Sequence, residues 1–92
     1  MIVRILGEGQ FRVGDDAVAE LNRMDAELEA AVERNDEAGL RTALDTLLAH
    51  VRDHGAEVPP DSLEPSELIL PHEGSSMDEV RKLLSDDGIP TA

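Results

Sequence analysis

His50 and His54 stand four residues apart, a spacing that sets two imidazoles on one side of a helix, as paired metal ligands require. Asp53 lies between them, but no glutamate completes an H-E-x-x-H pattern, and a third ligand would have to come from His72, far along the chain. The alternative reading is electrostatic, since imidazoles near the end of a helix favour its dipole. The five serines, at 62, 66, 75, 76 and 85, include no G-x-S-x-G elbow, and each suits a turn or a helix cap. Gly7-Glu8-Gly9 follows an apolar run, as a phosphate-cradling loop would, yet Arg12 holds the place of the third glycine and no helix opens there. With 21 Asp and Glu among 92 residues, some carboxylates must lie close together by chance, and none forms a specific acid–base pair. Asp86-Asp87-Gly88 lacks the alternating oxygens and closing Glu of a calcium loop. Cysteine is absent, which excludes a thiol nucleophile, a thiolate zinc site and a disulfide. These residue types predict neither an enzyme, nor a metal site, nor a cofactor.

Charge says more. The formal net charge is -13, which argues against nucleic-acid binding, where a basic footprint and stacking aromatics are needed. It also disfavours direct docking on anionic lipid headgroups. A basic protein partner, steered by the long-range field, suits such a surface. Solubility alone is the bland explanation. The start, MIVRILGEGQF, has no long apolar run or small-residue cleavage site, so it reads as no secretory signal. No stretch approaches the ~18 apolar residues of a membrane span, and a cytoplasmic location is expected. A chain of this length makes one domain, residues 1–92, that buries only about 60 to 65% of its unfolded surface. A second copy, as in a homodimer, is one way to cover some of the rest.

The elements that must position these groups are an α+β set in the order β-β-α-α-β-α. Ile2 to Leu6 and Gln10 to Val13 flank Gly7-Glu8-Gly9 as a hairpin with a three-residue loop. Folding about Glu8 sets Ile5 opposite Phe11 and Val3 opposite Val13. It also sets Arg4 against Arg12 on the outer face, a like-charge clash that calls for a carboxylate between them. A first helix is expected from an Asp15 or Asp16 cap to about Arg34, with Val18, Leu21, Met24, Leu28, Ala31 and Val32 as its apolar face. Asn35 suits the left-handed turn and Asp36 the next cap. The second helix carries Leu40, Ala43, Leu44, Leu47, Leu48 and Val51, and Gly55 ends it. A third begins at the capping box Ser76-Met77-Asp78-Glu79, buries Met77, Val80, Leu83 and Leu84, and stops at Gly88-Ile89-Pro90.

Between them lies DSLEPSELILPHEG, residues 61–74, with Pro59, Pro60, Pro65 and Pro71 in or beside it. A linker would be polar throughout, but Leu63, Leu68, Ile69 and Leu70 are apolar. An exposed docking peptide is one alternative. The stronger reading is a short strand, Glu67 to Leu70, added to a hairpin that is marginal alone. Leu68 and Leu70 then face the helices and Ile69 faces outward, with Glu67 or Glu64 supplying the carboxylate for Arg4 and Arg12.

MIVRILGEGQFRV, LEPSELILP and MDEVRKLLSDDGIP together resemble the PspA-associated protein family, PspAA. The resemblance implies a cytoplasmic, non-enzymatic accessory of PspA, an ESCRT-III-like membrane-remodelling protein of the phage-shock, envelope-stress system. It brings no catalytic residues to carry over. A PspA-like partner is thus expected, with the membrane reached only through that partner, whose basic amphipathic helices suit an acidic companion. The expected contact is the outer face of the sheet: Ile69, flanked by Arg4, Arg12, Glu64 and Glu67. Acidic helix faces, with Glu20, Glu27 and Glu33, are the rival surface. Two other classes of function stay open: an acidic mimic of nucleic acid on a basic regulator, and a small metal-responsive protein using His50 and His54.

Overall fold

The two β-branched stretches at the start form a hairpin, β1 (Ile2–Ile5) and β2 (Gly9–Val13). The computed structural model describes residues 1–61 and 64–88, the side chains of 85–88 excepted. Two helices follow, α1 (Asp15–Glu33) and α2 (Glu37–His54), then strands β3 (Gly55–Glu57) and β4 (Leu68–Leu70), and last α3 (Met77–Gly88). The expected α+β order is present, and β3 adds a strand that the sequence did not announce. Strand order is β3-β2-β1-β4, with β4 parallel to β1 and the other pairs antiparallel.

The hairpin register differs from expectation by two residues. Val3 lies opposite Phe11 and Arg4 opposite Gln10, while Arg12 faces Ile2. The loop is Leu6-Gly7-Glu8, closed by Glu8 N–H donating to the Ile5 carbonyl at 2.9 Å, with Gly7 at φ 87°, a conformation cheap only for glycine. Both registers turn Val3, Ile5, Phe11 and Val13 inward, so the apolar pattern could not choose between them. The Arg4/Arg12 clash therefore does not arise.

α1 starts from Gly14, which makes no side-chain cap; Asp15 and Asp16 are first-turn residues, where their charge favours the positive end of the helix dipole. At its other end Asn35 takes φ 57°. Asn35 N–H donates to the Val32 carbonyl and Asp36 N–H to that of Ala31, the two bonds of a Schellman turn. The Asp36 carboxylate then accepts from Gly39 N–H at 2.9 Å and caps α2, and that backbone bond holds its carboxyl below the usual range. So the reversal is specified on both sides, and α2 folds back on α1.

The core lies between the helices and one sheet face. Val3, Ile5, Val13 and Leu70 meet Leu21 and Leu28 of α1, five residues of α2 (Leu40, Leu44, Leu47, Leu48 and Val51), and Val80 of α3. Each such side chain stabilises by roughly 1.5 to 3 kcal/mol on burial. Leu68 and Ile69 are half-buried, and the strand begins at Leu68 because Glu67 sits in a bend. Ser76 and Glu79 exchange bonds of 3.0 and 3.1 Å as a capping box. α3 ends at Gly88. The hydrophobic stop contact expected from Ile89 and Pro90 lies outside the described residues, as do Ser62 and Leu63.

Candidate functional site

Strand alternation puts Ile2, Arg4, Gln10, Arg12 and Ile69 on the sheet face away from the helices. From β3 at one edge the chain must reach β4 at the other, and it does so across that face. Val58 N–H donates to the Gln10 carbonyl at 2.9 Å. The Gln10 amide donates to the Glu64 carbonyl at 2.8 Å and to Ser66 Oγ at 2.7 Å. Glu67 N–H donates to the Ile2 carbonyl, and the Glu67 carboxylate accepts from Ile2 N–H at 3.2 Å. Ile2 and Gln10 are thereby only 7% and 8% exposed, although they point away from the helical core.

The five residues expected to bind a partner are thus brought together on one face, but three of them have internal work. Glu64 pairs with Arg12 at 2.5 Å, so a carboxylate does meet an outer-face arginine. Glu67 caps the start of β1. Arg4 is exposed, and Ile69 lies beside it across the parallel pairing. Next to Arg4 opens a cleft of about 480 Å³, walled by Val58, Pro59 and Pro60 and edged by Glu8 and Glu57. Its rim carries both signs of charge, which suits a mixed polar contact rather than an acid-driven one.

Gln10 and the Arg52 cluster were not foreseen. Arg52 forks onto the Glu8 carboxylate, Nε to Oε1 at 3.0 Å, and reaches Glu73 at 3.3 Å. One side chain ties the hairpin loop, the end of α2 and the β4–α3 loop together. The Arg52 hydrogen bonds hold the Glu8 carboxyl below the usual carboxylate range. His72 has both ring nitrogens against acceptors, the Glu73 carbonyl at 2.9 Å and Glu79 at 3.2 Å. The first and then the second of these raise its pKa above the ordinary 6.5.

The helices carry most of the acid. Seven carboxylates on α1 stand against one guanidinium, Arg23, a formal -6 out of -13. Arg23 engages Glu20 and Glu27; Glu29 and Glu33 are exposed. Along the outer seam of α1 and α2 run two adjoining clefts of about 500 and 460 Å³ that share Thr46. The first is lined by the small residues Ala30, Ala38, Gly39, Thr42 and Thr46, together with Glu27 and with Arg34 and Asp36, which pair with each other at 3.5 Å, and further along come Met24, Asp45, Ala49 and Asp53. The His50 and His54 rings lie 4.5 Å apart at that end, and His50 Nε2 is 3.1 Å from the Ala17 carbonyl. Among the described residues no three His, Cys, Asp or Glu are grouped to hold a metal ion, and no helix is long and apolar enough to cross a membrane.

Residues 1–91 match the family model described as PspA-associated protein. No curated protein and no solved structure matches the chain.

Proposed function

We propose a binding function from one premise: this chain belongs to the PspA-associated protein family. It acts as a non-enzymatic, cytoplasmic accessory that binds a PspA-type protein of an ESCRT-III-like envelope-stress system. The observation that carries the reading is the concentration of negative charge, a formal -6 on α1 alone. Carboxylates on a rigid helix give a fixed field that attracts a basic partner and repels nucleic acid and anionic lipid. The membrane is then reached only through the partner. A cofactor has no place in this function.

Surface plasmon resonance with purified PspA from the same genome is the test. Saturable binding at or below micromolar concentration is expected. No binding at tens of micromolar removes the partner assignment. The sheet face supports a second contact, because Arg4, Ile69 and the cleft edged by Pro59 and Pro60 remain open there. An Ile69→Asp variant reports on it separately.

A further inference from the structure

The outer seam of the helical pair combines an open groove with carboxylates that have no internal partner. Among the described residues neither Asp45 nor Asp53 is ion-paired, whereas Glu64 and Glu67 of the sheet face are tied to Arg12 and to β1. We infer that this groove seats one basic amphipathic helix of the partner, lying along α2 with cations against Asp45 and Asp53. The inference rests on the binding reading above and adds where, and with what kind of element, the partner engages.

Shape argues for a helix. From Ala38 to His54 the groove follows α2 for roughly 24 Å at 1.5 Å per residue, the length of about sixteen helical residues. Between Ala38 and Thr46 no α2 side chain in the floor is larger than threonine, so a third helix can approach at the short end of the usual 8–10 Å interaxial range. Met24 lies near the other end, and an unbranched thioether adapts to whatever apolar side chain the partner presents.

Charge argues for a basic one. Asp45 and Asp53 are eight residues apart, about 12 Å along the helix, and project from the same cleft. Lysines or arginines seven or eight residues apart on a helix alongside would meet both. Glu29 and Glu33 extend the negative field along α1 beyond the ion pairs of Arg23. The apolar stripe of the incoming helix would lie on the alanine and threonine floor, its cations against the aspartates at the edge.

The test uses the full chain and purified PspA. Thr46→Arg places a bulky cation in the floor, and an Asp45→Lys, Asp53→Lys double variant reverses the edge; all three positions are exposed, and wild-type melting would verify the fold. Each variant should weaken binding at least tenfold. Zero-length carboxylate–amine cross-linking should join Asp45 or Asp53 to lysines of one helical segment of PspA. Wild-type binding that survives Thr46→Arg, or cross-links confined to Glu57, Glu64 and Glu67, overturns the groove and leaves the partner reading intact. A wild-type chain that fails to bind PspA removes both.

Discussion

Arg52 ties three segments of the chain together through its fork on Glu8 and its contact with Glu73. Both Arg52 and Glu8 are about a third exposed, 35% and 32%, so solvent screens the pair and Arg52→Ala should cost only about 1 kcal/mol. The sign with pH follows from Glu8. Its carboxyl is held below the ordinary 4.5, so the contribution is present above that value and is lost as pH falls through the lowered one. Urea unfolding of wild type and Arg52→Ala should therefore differ near neutrality and converge as pH falls below 4.5 through the lowered value. His72 runs the other way. Its raised pKa means that its contacts favour folding below the ordinary 6.5 and lose that effect as pH rises through the raised value. Ring-proton NMR should place its midpoint above 6.5, with Glu79→Gln lowering it only in part, because the Glu73 carbonyl is the larger cause. A midpoint at or below 6.5 would mean that the two contacts are not held in solution.

At the scale of elements, the exit from α2 is closely packed. β3 follows the helix with no loop, and a Cβ at Gly55 would lie 2.5 Å from the Val51 carbonyl oxygen and 3.0 Å from the Phe11 Cβ. Gly55→Ala should cost about 1 to 3 kcal/mol through this crowding, read as a lower urea midpoint at unchanged slope. A variant as stable as wild type would show that the backbone yields there. That glycine was legible as a helix end but not as a strand start, since three residues with one small side chain show no alternation. Elsewhere the sequence said more. Asp36, Asn35, Ser76 and Glu79 act locally, and each does what its residue type predicts. The inward faces of Leu68 and Leu70 followed from alternation beside an edge in need of pairing. What stayed hidden was non-local. The crossover over the sheet depends on Gln10 finding Glu64 and Ser66 more than fifty residues away, and the Arg52 fork on Glu8 spans 44. The groove was partly readable, as Ala38, Thr42, Thr46 and Ala49 recur along one side of α2, but a stripe of small residues on one helix says nothing of the neighbour that completes it.

For the molecule as a whole, the sheet and the helices divide the surface between them. The outer sheet face is crossed by the chain itself and pairs Arg12 with Glu64, while α1 carries a formal -6. Such a field speeds encounter more than it tightens the final complex. The direct measurement is the association rate constant with PspA from about 0.01 to 0.15 M salt, where the screening length shrinks from ~30 to ~8 Å. A rate that falls at least tenfold over that range, and that loses most of its salt dependence in a Glu29→Lys, Glu33→Lys variant, is the predicted result. A rate indifferent to salt, or unaltered by that charge reversal, would contradict an encounter driven by the acidic helix.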